Sequence, residues 1–218
     1  MPPFPSALPD LCIFDWDSTL VDNYAAIQAA INAARTEFGM AAWNLEETRL
    51  NCRRAARETF PEWFGRDWAR ALEIFYAAFA RRHIELLAVM PGAAALLAEL
   101  DRRKLPMAVN SNKNADYLHR EIEFLGWGRY FRMIVGAGDT ANGKPAPDGV
   151  NMIRAALALG EDAKIWFVGD NELDLRTAQA SGCLPIILGA EQSPDNSGGT
   201  VYLSGCEELL KHITAITA

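Results

Sequence analysis

Five short apolar runs, separated by stretches of helical spacing, constrain what this chain can fold into more than any other feature. Leu11-Cys-Ile-Phe, Met107-Ala-Val, Met133-Ile-Val, Ile165-Trp-Phe-Val and Pro185-Ile-Ile-Leu are apolar without alternation. A strand with one wet face alternates polar and apolar residues, so unbroken runs of this length belong to strands covered on both faces. The segments between them carry apolar residues three and four apart: Leu96, Leu97 and Leu100 within Ala93 to Arg103, and Met152, Ile153, Ala156 and Leu157 within Val150 to Leu159. Strand then helix, repeated, predicts an α/β fold with a parallel sheet flanked by helices.

The stretch from about Asn23 to Met90 breaks that rhythm, because it holds no convincing strand. Ile27, Ala30, Ile31, Ala34 and Phe38 make one helical stripe, and Trp68, Leu72, Phe75, Tyr76, Phe79 and Leu86 make another. Pro61-Glu-Trp-Phe-Gly reads as a break between helices. The aromatic positions read as the core of this insert rather than as a ligand box, and His83 as a packed or half-exposed neighbour. The predicted organisation is a core of residues 1–21 and 91–218 around a helical domain at 22–90, with Pro91 at a helix start where the core resumes.

Composition narrows the partners. Half of the residues are hydrophobic, enough to bury a core, and 21 Lys+Arg against 28 Asp+Glu leave a formal charge of −7. With no long basic run, nucleic acid and anionic membranes are poor partners. Met1 to Asp10 has no basic flank or apolar stretch of the secretory kind, and nothing approaches the roughly 20 apolar residues of a membrane span. Cys12, Cys52, Cys183 and Cys206 form no C-x-x-C pair and read as reduced thiols. The expected location is cytoplasmic.

In open parallel sheets, ligands bind at the carboxyl ends of the strands. Asp15 and Asp17 follow the first run, Ser111 and Asn112 the second, Asp170 and Asp174 the fourth, and Lys144 follows the third by a loop. Several carboxylates meeting in one crevice repel one another unless a cation sits among them, and all-oxygen ligands suit Mg²⁺, which favours phosphoryl chemistry. The pair Asp15 and Asp17 allows one carboxylate to act as nucleophile and the other as general acid, then base. Ser111, with the polar segment Asn112-Lys-Asn-Ala-Asp opening a helix behind it, offers a hydroxyl and amides for an anion, and Lys144 offers a positive charge.

Each feature alone is weak. An Asp-x-Asp after a strand is often a capping or turn element. Gly138-Asp-Thr-Ala-Asn-Gly-Lys144-Pro145 nearly fits a nucleotide phosphate loop, but proline supplies neither the hydroxyl nor the N–H that such a loop needs. What raises the signal is order. Asp15-Trp-Asp-Ser-Thr-Leu-Val-Asp, Ser111-Asn, Gly143-Lys-Pro-Ala-Pro-Asp and Val168-Gly-Asp-Asn-Glu-Leu-Asp resemble, in sequence, the four motifs of the haloacid dehalogenase superfamily. The chain is most similar to its phosphoglycolate-phosphatase-like branch, in which a helical cap is inserted between the first and second motifs.

That resemblance implies a Rossmann-like core with the Asp15 strand near the centre of its sheet and an α-helical cap domain. It implies Asp15 as nucleophile and metal ligand, Asp17 as acid/base and as a metal ligand through its main-chain carbonyl, and Asp170 as a further ligand. Asp174 would hold a metal-bound water or the Lys144 ammonium, and Lys144 would steady both Asp15 and the phosphoryl group. Ser111 would bind that group, helped by Thr19 and the amides of Trp16 and Asn112. Ser18 stands where the family most often has glycine, so a positive φ there would cost strain. Arg49, Arg53, Arg54 and Arg57 crowd one segment of the insert. Most read as a solvated helix face, while Arg49 and Arg53 are the candidates to meet an anionic leaving group, since caps of this branch select substrate from such a segment.

Within the superfamily, Asp17 argues against dehalogenation, and the absence of lysine between Asn23 and Met90 argues against phosphonate cleavage through a Schiff base. The expectation is a Mg²⁺-dependent phosphatase of a small phosphorylated metabolite, working through an aspartyl-phosphate. A β-phosphoglucomutase-like mutase uses the same aspartates, and a catalytically silent binding or regulatory protein could keep the fold. Both remain as alternatives.

Overall fold

The computed structural model describes residues 4–52, 56–189 and 199–216, with the backbone alone at 56–58. Along the chain lie β1 (Leu11–Phe14), β2 (Val21–Asp22), α1 (Tyr24–Glu37), α2 (Leu45–Asn51), α3 (Ala56–Phe64) and α4 (Trp68–Arg82). Then come β3 (Ala88–Val89), α5 (Ala93–Arg102), β4 (Met107–Asn114), α6 (Ala115–Phe124), β5 (Phe131–Ala137) and α7 (Asp148–Ala156). The rest is β6 (Ile165–Gly169), α8 (Glu172–Ala180), β7 (Leu184–Leu188), β8 (Val201–Leu203) and α9 (Cys206–Ala215). Two compact units result, one of Met1–Val21 with Val89–Ala218 and one of Asp22–Ala88.

The first unit is a Rossmann-like α/β layer. Its six-stranded sheet runs β5-β4-β1-β6-β7-β8 with every neighbouring pair parallel. β1 therefore lies inside the sheet, with Phe14 beside Val109 of β4 on one edge and beside Val168 of β6 on the other. That position explains its unbroken apolar run: Leu11, Ile13 and Phe14 are wholly buried, each worth about 1.5–3 kcal/mol relative to exposure. One face of the sheet presents Leu11, Ile13, Ala108, Val135, Ile165 and Phe167 to Val150 and Ile153 of α7 and Ala178 of α8. Leu96, Leu97 and Leu100 of α5 are buried, as are Leu209 and Ile213 of α9, and these two helices pack together.

Helix ends in this unit follow one rule. After α6 and α8 the chain turns through Gly126 and Gly182 at positive φ, and after α5 and α7 the same place is held by Lys104 (φ 59°) and Ala158 (φ 52°). The Leu105 N–H donates to Leu100 O and the Leu159 N–H to Arg154 O, both at 3.0 Å, which closes the last turn.

In the second unit, Ala26, Ala30, Ile31 and Ala34 of α1 and Ala71, Leu72, Phe75 and Phe79 of α4 are buried, and these two helices pack together. Phe60 of α3 meets Phe75 edge-on at 5.4 Å, and His83 stacks on Phe79 at 5.3 Å.

Five expectations need correction. β8 has no counterpart among the predicted strands, being three residues long. β2 and β3 pair with each other at the ends of the insert, and two residues each are too few to leave a pattern. β4 continues through the polar stretch Asn110–Asn114, so α6 opens at Ala115 with Asn114 as its N-cap rather than directly behind Ser111. Pro61 sits inside α3, and the break falls at Gly65, where φ is +53°; losing one helical N–H is tolerated because Phe60 and Phe64 on either side are anchored in the core. Trp68 is 38% exposed and lies outside the insert's core. Among the described residues, no helix is long and apolar enough to cross a membrane, and all four cysteines are free.

Candidate active site

The site is built where β1 ends. The Asp15 N–H donates to Val168 O at 2.8 Å, which ties the residue after β1 to β6. Behind β6, Asp170 follows directly and Asp174 enters one turn into α8, whose N-cap Asn171 accepts from the N–H groups of Leu173 (2.8 Å) and Asp174 (3.4 Å). Asp174 reaches back so closely that a Cβ on Gly169 would stand 2.3 Å from its Cγ. Only glycine fits there. The Asp174 carboxylate is thereby fully employed, with Oδ2 accepting the Asp170 N–H at 3.0 Å and Oδ1 lying 2.6 Å from Lys144 Nζ.

Lys144 comes from the loop between β5 and α7, and its ammonium bridges Asp15 (2.7 Å) and Asp174 (2.6 Å). The side chain of Asn112 holds that loop. Its Oδ1 accepts the Lys144 N–H at 2.7 Å and its Nδ2 donates to Lys144 O at 2.9 Å. Gly143 makes this possible, since a Cβ there would come 2.6 Å from Asn112 Oδ1. Asn112 thus acts through its side chain on Lys144, a contact its expected role as an amide donor did not include.

Ionisable oxygens of Asp15, Asp170 and Asp174 all lie within 4.8 Å of one another. Burial, with Asp174 next, pushes the Asp15 carboxyl up to about 8 and the Asp170 carboxyl up to about 7, against the pull of Lys144. Burial works against the Lys144 ammonium, but Asp15 and Asp174 outweigh it and hold its pKa above the ordinary lysine value. One lysine is too little positive charge for three crowded acids. A further cation is the group the cluster fits, and hard carboxylate oxygens suit a divalent ion of the magnesium kind.

Past Asp15 the chain turns sharply. Ser18 has φ +64°, and its N–H donates to Val21 O at 2.7 Å, so the strain foreseen for a serine here is present. Asp17 lies 3.0 Å from Lys113 Nζ, and Lys113 lies 2.7 Å from Glu121 of α6. Trp16 turns away from the site into the core, where its Nε1 donates to Glu121 at 2.7 Å. The buried Thr19 hydroxyl has no hydrogen-bond partner among the described residues, and the buried Ser111 Oγ accepts the Lys113 N–H at 3.2 Å. Lys113 and Glu121 were not anticipated. A signal for Glu121 existed: it shares the apolar stripe of Leu118 and Ile122, where a carboxylate needs a buried partner.

The structure thus gathers Asp15, Lys144, Asp170 and Asp174 into one cluster, with Asn112 clamped to Lys144. Arg49 belongs to the second unit, where it pairs with Asp22 at 2.5 Å and lies over the Tyr24 ring. Arg53 lies outside the described residues.

Comparison with known proteins agrees with this geometry. The profile of the haloacid dehalogenase-like hydrolases matches residues 12–187. A phosphoglycolate phosphatase of Pseudomonas syringae pv. syringae is 31% identical, over 85% of this chain and 71% of that protein. A second, from Pseudomonas fluorescens, is 30% identical, over 97% of this chain and 85% of its own. A crystal structure of a haloacid dehalogenase superfamily hydrolase from Geobacter sulfurreducens superposes with a TM-score of 0.75 at 22% identity, covering 95% of this chain and 96% of the other.

Proposed function

This chain belongs to the haloacid dehalogenase-like hydrolases, and from that premise we propose that it is a phosphatase of small phosphomonoesters of the phosphoglycolate type, working through an aspartyl-phosphate on Asp15. The observation that carries the reading is the bridge of Lys144 between Asp15 and Asp174, beside Asp170, at the end of an interior strand. The relatives named above support the substrate class.

In this reading Asp15 attacks phosphorus in line with the leaving oxygen, and Asp17 gives its proton to that oxygen as the ester bond breaks. Asp17 then takes a proton from water as the water oxygen attacks phosphorus and the Asp15–phosphorus bond breaks, which returns both carboxyls to their starting states. Lys144 keeps Asp15 oriented and offsets charge on the phosphoryl oxygens, while Asp174 and Asn112 keep Lys144 in place. Ser111, Thr19 and the amides of Trp16 and Asn112 are the candidate hydrogen-bond donors to those oxygens. A Mg²⁺ ion, held by Asp15, Asp170 and the Asp17 carbonyl, would supply neutralisation of the phosphoryl group's charge when bound. Arg49 and Arg53 are proposed contacts for an anionic leaving group.

The test is phosphate release from phosphoglycolate, other alkyl phosphates and an aryl phosphate, with Mg²⁺, with chelator, and for Asp15→Asn. Turnover that needs the metal and vanishes in the variant is expected. Undiminished turnover in Asp15→Asn would sink the aspartyl-phosphate reading.

A further inference from the structure

A buried polar chain leads from the core to Asp17. At its inner end the Trp16 ring is wholly buried, with Trp127 and Phe131 edge-on to it at 5.8 and 6.5 Å. Its Nε1 donates to Glu121 Oε2 at 2.7 Å, and the same oxygen lies 2.7 Å from Lys113 Nζ. Glu121 is wholly buried and the Lys113 side chain is 5% exposed, whereas the Asp17 side chain that Lys113 reaches at 3.0 Å is 39% exposed.

Ion pairs of this kind are a weak source of stability, since well-packed apolar residues often serve as well in their place. Here the pair does something apolar residues cannot. It brings a fixed ammonium up to Oδ1 of a half-open carboxyl group, which sets the plane of that group and the direction of its other oxygen. Lys113 is itself fixed, because Glu121 is held by an indole that the core does not let move. A general acid displaced by about 1 Å loses on the order of 100-fold in rate.

We propose that Lys113, braced by Glu121 and Trp16, is the positioning residue for Asp17, holding its carboxyl aimed at the leaving-group oxygen. The inference rests on Asp17 being the acid of the proposed reaction. Lys113 touches no reacting atom in this account and acts through Asp17 alone.

The test uses the dependence on leaving group. An alkyl phosphate needs its leaving oxygen protonated, while 2,4-dinitrophenolate departs without help, and kcat/KM for both reports the steps up to phosphorylation of Asp15. For Lys113→Met, kcat/KM on the alkyl ester should fall by about 30-fold or more and on the dinitrophenyl ester by less than about 3-fold, the pattern expected of Asp17→Asn measured alongside. Equal losses on both esters, or no loss on either, would overturn the positioning role. If Asp17→Asn itself lowers both esters equally, the acid assignment fails, and with it this inference, while Asp15→Asn still judges the phosphatase reading separately. Should Lys113→Met not fold, Glu121→Gln keeps an acceptor for Trp16 but removes the charge that braces Lys113. A smaller shift in the same alkyl-to-aryl ratio is expected of it, and a changed melting temperature with an unchanged ratio would mark the network as structural only.

Discussion

Lys144→Met is the most informative single perturbation of the cluster, because methionine keeps most of the stem and removes only the ammonium. At 2.6 Å from Asp174, an effective dielectric of about 20 makes that attraction about 6 kcal/mol. Side-chain relaxation and proton uptake reduce what is lost, and removal of one partner from a buried pair costs about 3–5 kcal/mol. For a chain of this length that is a fall in melting temperature of about 6–20 °C. The assay is thermal and urea unfolding with chelator present, at pH 5 and pH 8. Without Lys144 the stranded carboxyls resist ionisation in the folded state, so the variant binds more protons folded than unfolded and loses stability as pH rises. The deficit should therefore be larger at pH 8 than at pH 5, and adding Asp174→Asn should recover part of it. A loss below about 1 kcal/mol at pH 8, or one of equal size at both pH values, would refute the electrostatic account and leave packing as the cause.

Three further outcomes follow from the same geometry. In Gly169→Ala the new Cβ meets Asp174 at 2.3 Å, so urea unfolding should register a loss of about 3 kcal/mol or more and phosphate release should collapse; a change within about 0.5 kcal/mol would mean that Asp174 can move aside. Asp15 and Asp170, raised to about 8 and about 7 from 3.8, contribute to the metal-free protein a stability that is fully present below about pH 4 and is lost as pH climbs through 7 to 8; Mg²⁺ should raise the melting temperature more at pH 8 than at pH 5, and an equal rise at both would contradict this. Ala158 has φ +52°, a conformation costing an L-residue about 1–2 kcal/mol, against about 0.5–1 kcal/mol of extra chain entropy for glycine. Ala158→Gly should thus stabilise by about 0.5–1 kcal/mol with activity unchanged, and a lower melting temperature would count against it.

Much of the site was readable because its acids stand directly behind runs that must be buried. Phe14 before Asp15 and Phe167-Val-Gly before Asp170 mark strand ends by composition alone, and in a parallel sheet strand ends share one edge. Lys144 has no such marker and was legible only through its order among the motifs. What stayed hidden was pairing at long range. Nothing local tells that Trp16 meets Glu121, which lies 105 positions away, or that Asn112 spends its side chain on the backbone of Lys144. Polar residues were misread for a related reason: Asn110–Asn114 prolongs β4 because its neighbour β5 is there to pair with at Asn110 and Asn114, not because asparagine favours strands.

The order of the strands in the sheet also sets a schedule. β1 is made first, but its partners on either side are residues 107–109 and 165–168, so a chain emerging from the ribosome carries Asp15 long before anything can enclose it. The helices of residues 24–82 contact one another locally and can form in the meantime. Any chain ended before Val168 has an apolar strand with one bare edge, lacks Asp170 and Asp174, and leaves the Asp15 N–H without its acceptor on β6. Truncated products therefore expose a strand edge that invites aggregation, and the acidic cluster is completed late in synthesis, when β6 and the start of α8 arrive together.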